Sequence, residues 1–368
     1  MKRIIAVTGT RADYGIYRPV FQAIAQSKQL SLELLVTGMH LLPEFGSTIG
    51  EIREDGFTIA AEVPTMTTED TPGSMAEYVG NTTVAFAKFL AKKKPDIIFV
   101  LGDRGEQLAG AIAAMELRIP ILHLHGGEQT GSVDDPVRHA ITMMASVHCT
   151  TAEQHSANVL RMRSESRSVH TVGAPALDVV RTLKPIDHET LMRSAGFDPK
   201  LPILIFLQHP DTLDTKTPKE QIAPGLSTLQ GYSGNILLIG SNADAGGMHF
   251  NAELQAFANK RRNTAFRISV PHREFLSWQR IAAVLVGNSS SGIIEAASAH
   301  LPVVNIGDRQ KGRLRSGNVI DVPFDVDAVR GALVEAVSPK FRERVSAVQN
   351  AYGDGHASEK IVRLLENM

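Results

Sequence analysis

The chain has 368 residues, more than one compact core usually serves, so its length predicts two domains. Its 38 Lys and Arg balance 39 Asp and Glu without a long basic run, which argues against a nucleic-acid partner. The single cysteine excludes an intramolecular disulfide framework, and no segment approaches the roughly 20 apolar residues of a membrane helix, so we expect a cytoplasmic protein without membrane contact.

Short apolar runs alternate with amphipathic stretches in the first half of the chain. The stretch after the first run predicts a helix at 19–26, and the runs predict strands at 4–8, 32–37, 96–101 and 119–124. These runs are rich in Ile, Val and Leu without strict alternation, which is typical of parallel strands buried on both faces. Strands separated by helices indicate a doubly wound α/β sheet.

The alternation pauses at four prolines, Pro175, Pro185, Pro199 and Pro202, and then starts again. Further strands are expected at 203–207, 235–239, 265–268, 283–286 and 303–306. We therefore predict a first domain at 1–175 and a second at 176–352, with a C-terminal helix at about 353–368 as a candidate to pack on the first. Two Rossmann-like domains facing a cleft would bind a ligand at the carboxyl ends of their strands.

Charged and polar residues follow the predicted strands of the first domain. Arg11 and Gly15 come after the first strand, in a Gly-Thr-Arg-Ala-Asp-Tyr-Gly segment that suits an anionic ligand. Asp103 and Arg104 follow the strand at 96–101 and form a candidate pair for acid–base work and phosphate binding. The alternatives are a solvated arginine in an ordinary turn and a helix N-cap.

The densest group of titratable residues follows the strand at 119–124. It begins with His123, His125 and Glu128 beside a Gly-Gly turn and continues with Asp134-Asp135 and Arg138-His139. So many titratable groups in one segment suggest mutual pKa tuning for proton transfer. A metal site is the rival interpretation, but the His-Glu-x-x-His spacing is absent. Asp134 is also a good helix N-cap, so one of the two aspartates is a candidate for a structural role.

The second domain has four polar segments at predicted strand ends. His209 ends one strand, and Asn242 lies in the Gly-rich loop at 240–247. A serine loop at 287–295 opens a helix that we expect to run through Ala299. The loop carries Ser289, Ser290 and Glu295, which suit a diphosphate and a ribose. Arg309 lies in a segment that superficially matches a P-loop but lacks its Lys and Ser/Thr. Each segment also has a structural interpretation when taken alone. His209 fits a structural histidine, the loop at 240–247 fits a plain turn, and the serine loop fits a helix N-cap with more polar residues than it needs.

These segments, in this order, resemble the UDP-N-acetylglucosamine 2-epimerases, and among them the hydrolysing branch of sialic acid biosynthesis. The matching blocks span nearly the whole chain: 9–15, 36–40, 101–104, 123–128, 134–142, 240–244, 287–295 and 305–313. Each block alone is weak evidence for the family, but the full set in this order is highly specific for it. The resemblance implies a GT-B-like fold with the nucleotide held mainly by the second domain.

The resemblance also implies residue roles. Nucleotide contacts are expected from eight residues: Arg11, Arg104, His209, Asn242, Ser289, Ser290, Glu295 and Arg309. Acid–base work is expected from Asp103, Glu128 and Asp134, and we count His125 and His209 with the catalytic candidates. The wider family often carries Glu at the position of His125, so the general base stays open among His125, Glu128, Asp103 and Asp134. No metal or cofactor is expected, and the family suggests a homodimer or homotetramer.

The expected reaction converts UDP-N-acetylglucosamine to N-acetylmannosamine and UDP. Loss of the C2 proton as the C1–O bond breaks gives a 2-acetamidoglucal, to which water then adds. Several alternatives stay open: the same chemistry on UDP-N,N'-diacetylbacillosamine in legionaminic acid synthesis, a non-hydrolysing epimerase, a glycosyltransferase, and a nucleotide-sugar sensor without catalysis.

Overall fold

The computed structural model describes residues 1–67, 71–130, 135–165, 168–241 and 246–368. The chain divides into two compact α/β units. The first contains Met1–Gln129, the described residues of 133–179 and Tyr352–Met368, whereas the second contains Thr130 and Val180–Ala351. The prediction of two Rossmann-like domains is confirmed.

The first unit is a seven-stranded parallel sheet with helices between its strands. Its elements are β1 (Lys2–Thr8), α1 (Arg11–Gln26), β2 (Leu30–Thr37), α2 (Ile49–Glu54), β3 (Ile59–Val63), α3 (Pro72–Lys93), β4 (Ile97–Leu101), α4 (Gly105–Glu116), β5 (Ile121–Leu124), α5 (Asp135–Met144), β6 (Val147–Thr150), α6 (Glu153–Met162), β7 (Val169–Thr171) and α7 (Ala176–Thr182), with 3-10 turns at Gly38–Leu41 and Pro43–Phe45. The strand order is β3-β2-β1-β4-β5-β6-β7. The order reverses between β1 and β4, which is where ligands bind in open α/β sheets.

The second unit is a six-stranded parallel sheet of the same kind. Its elements are α8 (His188–Ala195), β8 (Ile203–Leu207), α9 (Pro218–Leu229), β9 (Asn235–Ile239), α10 (Gly247–Lys260), β10 (Thr264–Arg267), α11 (His272–Ile281), β11 (Val284–Gly287), α12 (Ser290–Ile294), a 3-10 turn at Ala296–Ala299, β12 (Val303–Ile306), β13 (Val319–Val322), α13 (Val326–Ala336) and α14 (Pro339–Ser346). The strand order is β10-β9-β8-β11-β12-β13, so the reversal lies between β8 and β11.

The last helix, α15 (Ala357–Asn367), belongs to the first unit. The Lys2 ammonium donates to the Leu365 carbonyl at 2.6 Å. At the other end of the helix, the Asp178 carboxylate accepts from the backbone N–H groups of Ala357 and Ser358 at 2.9 and 2.7 Å. A carboxylate at these positions satisfies N–H groups that the helix itself leaves unpaired.

The predicted strands are found within one or two residues of their expected ends, and three of them match at both ends: Ile203–Leu207, Asn235–Ile239 and Val303–Ile306. Two helix predictions were wrong in extent. The helix expected to begin at Pro19 begins at Arg11, because Thr10 and Asp13 form a capping box there. The helix expected to run through Ala299 ends at Ile294 and continues only as a 3-10 turn. In the described residues, no helix is both long and apolar enough to cross a membrane.

Candidate active site

The segment after β1 is folded by a buried carboxylate. Asp13 accepts from the Thr8 hydroxyl at 2.5 Å and from the Gly9 N–H at 3.0 Å, and its side chain also caps the start of α1. Burial raises the pKa of Asp13 to about 7, and the charge of Glu106 acts in the same direction. The aspartate of this motif therefore has a structural role.

Arg11 and Gly15 lie on the outer side of α1. The Arg11 side chain is 70% exposed and pairs with Glu51, with 3.1 Å between Nε and Oε1. Gly15 is exposed, and a Cβ at this position would meet no atom within 4 Å. Both predicted ligand contacts are thus at the surface of the first unit.

Arg104 is held by a buried acid. Its Nε donates to Glu106 Oε1 at 2.8 Å, and the Glu106 carboxylate raises the pKa of the guanidinium. A Cβ on Gly9 would lie 2.7 Å from Glu106 Cγ, so the chain can pass over this carboxylate only where residue 9 has no side chain. Glu106 thus fixes both the position of Arg104 and the path of the loop after β1.

Asp103 is joined to the loop after β5 by an arginine. The buried Arg138 guanidinium forms ion pairs with Asp103 and Asp135 and donates to the Glu128 carbonyl at 3.3 Å. Arg138 therefore connects the end of β4 with the Gly-Gly turn and holds Asp103 beside a fixed positive charge.

His125 and Glu128 form a buried dyad. His125 Nδ1 lies 2.7 Å from Glu128 Oε1, and the same oxygen accepts from the Thr151 hydroxyl at 2.8 Å. The two side chains are 11% and 5% exposed. His125 Nε2 is buried and has no hydrogen-bond partner among the described residues. The backbone of His125 has a φ of +65°, which lies in the left-handed region. Residues other than glycine rarely adopt this conformation, and those that do are often found at functional sites.

The turn that carries the dyad is fastened to α6. Gly127 has a φ of +76°, and its carbonyl accepts from Asn158 Nδ2 at 2.7 Å. A Cβ on Gly127 would lie 2.9 Å from the Val159 side chain, so this contact requires glycine.

His123 has a different role from His125. Its Nε2 donates to the Gly102 carbonyl at 2.9 Å, and burial lowers its pKa to about 3. It is a neutral side chain that joins β5 to the segment after β4. Within the described part of the chain, no three His, Cys, Asp or Glu side chains are grouped to hold a metal ion.

In the second unit, His209 and Asn288 join the ends of β8 and β11. The His209 N–H donates to Asn288 Oδ1 at 2.7 Å, and Asn288 Nδ2 donates to the His209 carbonyl at 2.8 Å. His209 Nδ1 lies 3.2 Å from the Ser241 hydroxyl. The Asn288 carbonyl accepts from Arg309 Nη1 at 3.3 Å and from Gln310 Nε2 at 3.0 Å. Asn288 is therefore the centre of this polar group.

The polar side chains of the serine loop form more hydrogen bonds with one another than the sequence suggests. The Ser289 hydroxyl caps α12 by accepting from the Ser291 N–H at 3.3 Å, and Ser290 is the first residue of that five-residue helix. The Ser291 hydroxyl donates to Glu295, whose other oxygen lies 3.3 Å from His272 Nε2. The hydrogen bond with Glu295 raises the pKa of His272. Asn242 and Asp134 lie outside the described residues.

A family model described as UDP-N-acetylglucosamine 2-epimerase matches residues 22–366. The chain belongs to this epimerase family. It is 38% identical to a UDP-N,N'-diacetylbacillosamine 2-epimerase (hydrolyzing) of Legionella pneumophila, over 100% of this chain and 96% of the relative. It is 32% identical to polysialic acid biosynthesis protein P7 of Escherichia coli, over 100% and 94%. The fold matches that of the UDP-GlcNAc 2-epimerase from Neisseria meningitidis bound to UDP-GlcNAc, with a TM-score of 0.85, 17% identity and full coverage of both chains.

The structure joins some of the predicted site residues in two groups, one in each unit. In the first unit, Arg138 links Asp103 to the turn of His125 and Glu128. Arg11 instead pairs with Glu51, and Gly15 is exposed. In the second unit, Asn288 links His209 with Arg309.

Three residues of these groups were not predicted as site residues from the sequence: Arg138, Asn288 and Thr151. The first two lie inside the blocks that match the epimerase family, where each is a polar residue close in sequence to a predicted site residue. Thr151 follows β6, a strand that the sequence analysis did not predict, so no pattern placed it near Glu128.

Proposed function

We propose that this epimerase is a hydrolysing enzyme that converts a UDP-linked 2-acetamido sugar to UDP and the free 2-epimer. The observation that carries the proposal is the His125–Glu128 dyad with its buried, unpartnered Nε2. An enzyme that removes a weakly acidic C–H proton needs such a base, positioned and shielded from water.

The hydrogen bonds decide which atom of the dyad accepts the proton. An ionised carboxylate can only accept, so the His125 nitrogen that faces Glu128 carries its hydrogen and Nε2 carries a lone pair. Asp103 is a poorer base in the resting protein because the Arg138 guanidinium favours its ionised form. Among the described candidates for the general base, His125 is therefore the best placed, with Glu128 as the group that orients it.

The first step is an elimination. His125 Nε2 takes the proton from C2, the C1–O bond breaks, and UDP leaves with the electron pair, which gives a 2-acetamidoglucal. Ionic hydrogen bonds to the leaving diphosphate lower the barrier. We assign nucleotide contacts to Arg309, Ser289, His209 and Arg104.

The second step is a hydration. Water adds its hydroxyl to C1, and a proton is delivered to C2 on the face opposite to the one that lost it. The product has the inverted configuration at C2. Asp134 is the candidate that delivers this proton, and ionised Asp103 is the candidate that accepts a proton from the adding water.

The sequence comparisons favour a particular order for testing substrates. The Legionella relative at 38% identity is named for UDP-N,N'-diacetylbacillosamine, whereas a Neisseria meningitidis relative named UDP-N-acetylglucosamine 2-epimerase is 30% identical. Both sugars carry the 2-acetamido group and the UDP that the chemistry requires. We therefore take the diacetamido sugar as the first candidate and UDP-N-acetylglucosamine as the second.

A proton NMR time course in deuterated water tests the proposal. Each UDP-sugar is incubated separately with the protein, and the products are identified from their anomeric and C2 signals. We expect UDP and a free sugar with manno configuration that carries deuterium at C2. Accumulation of a UDP-linked 2-epimer would show a non-hydrolysing enzyme, and turnover only after an acceptor sugar is added would show a glycosyltransferase.

A further inference from the structure

Two further buried residues continue the dyad on the side of Glu128. The Thr151 hydroxyl, which donates to Glu128 Oε1, lies 2.7 Å from His155 Nδ1. Thr151 and His155 are 1% and 3% exposed, and neither belongs to the residues assigned above to the reaction. Four side chains therefore form one continuous buried chain of hydrogen bonds.

The direction of each hydrogen bond in this chain is determined. A threonine hydroxyl has one hydrogen, and the carboxylate of Glu128 requires it. The Thr151 oxygen must then accept from His155 Nδ1, so His155 carries its hydrogen on that nitrogen. Donors thus converge on Glu128 from both sides, from His125 and from Thr151.

We propose that Thr151 and His155 are positioning residues that keep Glu128 ionised and keep His125 in the tautomer with the Nε2 lone pair. The proposal deepens the proposed function and rests on it for its catalytic consequence. Two donors on one oxygen fix the carboxylate in place, because rotation of the carboxylate would break both bonds. A base that is oriented by a third group is the arrangement found in catalytic triads.

Helix α6 supplies the frame for these contacts. His155 lies in its first turn and Asn158 one turn later, and Asn158 holds the Gly127 carbonyl of the same turn that carries the dyad. The competing explanation is that Thr151 and His155 only stabilise the start of α6, where the N-cap residue Ala152 has no capping side chain. The two explanations differ in what happens to His125.

Kinetics of three variants separate these explanations. Thr151→Val removes the hydroxyl at nearly constant volume, and Thr151→Ser restores it. Thr150→Val is the matched control, because Thr150 is an equally buried neighbour of Thr151. Its hydroxyl bonds to the Ser156 hydroxyl at 2.6 Å, and Ser156 lies on α6 like His155. We expect kcat of Thr151→Val to fall roughly ten- to a hundredfold with little change in KM, because the carboxylate that orients His125 loses one of its hydrogen bonds. Thr151→Ser and Thr150→Val should keep most of the activity.

The pH profile adds a readout that a structural role would not change. With one donor fewer, Glu128 holds a proton more tightly and stabilises protonated His125 more strongly, so the acid limb of the kcat profile should move to higher pH in Thr151→Val. Equal kcat and equal profiles in Thr151→Val and the wild type would overturn the proposal. Equal losses in Thr151→Val and Thr150→Val would also overturn it.

A spectroscopic measurement decides the question without turnover. In protein labelled with ¹⁵N-histidine, the His125 signals are those lost in His125→Gln. We expect a protonated Nδ1 and an unprotonated Nε2 in the wild type, and a mixture of tautomers in Thr151→Val. A wild-type His125 protonated at Nε2 would overturn the proposal. If the tautomers behave as expected but no UDP-sugar is consumed, the positioning role stands and the proposed function fails.

Discussion

Asn288 and His209 exchange two hydrogen bonds across the point where the strand order of the second sheet reverses. The Asn288 carbonyl is at the same time held by Arg309 and Gln310. One buried amide thus fixes the ends of two strands and the loop after a third. Because ligands bind at such reversals in open α/β sheets, we assign Asn288 a supporting role in nucleotide binding.

Replacing Asn288 with alanine should weaken UDP binding by about tenfold, or about 1.4 kcal/mol. Loss of the amide frees the His209 backbone and leaves its N–H unpaired, so a loss of about 1–3 kcal/mol in the free energy of unfolding should accompany the change. The measurement is isothermal titration with UDP at a temperature at which the variant is folded.

Asn318→Ala is the control for this prediction. Asn318 is equally buried in the second unit, and its Nδ2 donates to the Leu301 carbonyl at 2.9 Å. The control should lose stability and keep its UDP affinity. If the two variants bind UDP equally well, Asn288 has no part in the nucleotide site.

Arg138→Met should destabilise the protein more than Asp103→Asn. Removing the guanidinium leaves Asp103 and Asp135 without their shared counter-charge, which we expect to cost about 3 kcal/mol. Asp103→Asn keeps the Arg138–Asp135 pair and should cost about 1 kcal/mol. Urea denaturation of both variants measures the difference, and equal shifts of the midpoint would contradict the central position of Arg138.

The burial of His148 leads us to predict that the protein loses stability in mild acid. It is fully buried opposite His123 in the sheet, and neither of its ring nitrogens has a hydrogen-bond partner within the described ranges. Burial lowers its pKa to about 4, and Arg163 acts in the same direction. Between the unfolded value near 6.5 and about 4, only the unfolded chain takes up the proton, so stability falls as the pH falls through this window.

His148→Leu should remove this dependence. We expect the variant to match or exceed the wild type at pH 7.5, where both states are neutral, and to gain about 2 kcal/mol more relative to it at pH 5. His123→Leu is the contrast, because it loses the hydrogen bond to Gly102 and should be destabilised already at pH 7.5. If the free energies of unfolding of His148→Leu and the wild type differ by the same amount at both pH values, His148 is not the source of the pH dependence. The comparison is unaffected by Asp13, whose raised pKa gives the opposite pH dependence in both proteins.

The predictable part of the fold is the part in which local sequence decides the structure. Ile203–Leu207 and Asn235–Ile239 are short apolar runs with polar turns behind them, and their bounds were predicted at both ends. β6 was not predicted, because in Val147–Thr150 two of four residues are polar and the run has no recognisable period. Its structure depends on its place between β5 and β7, which is tertiary information.

The candidate site shows the same limit. The titratable group around His125 was found because its residues are close in sequence, and the dyad with Glu128 spans only three positions. The pairing of Asp103 with Arg138 joins a residue after β4 to one in α5, and their spacing of 35 residues does not predict it. The segment that contains Asp13 was predicted to suit an anionic ligand, and the structure shows that Asp13 itself caps α1.

The central claim is that His125 transfers the C2 proton. The direct test compares kcat of His125→Gln with that of the wild type on the UDP-sugar that the wild type hydrolyses, with UDP affinity measured in parallel. His170→Gln is the control, since His170 lies on β7 and bonds to Ser168. We predict that kcat of His125→Gln falls roughly 10²- to 10⁴-fold with UDP affinity unchanged, while the control keeps its activity. Retention of most of the wild-type kcat by His125→Gln would contradict the account and move the base to another residue.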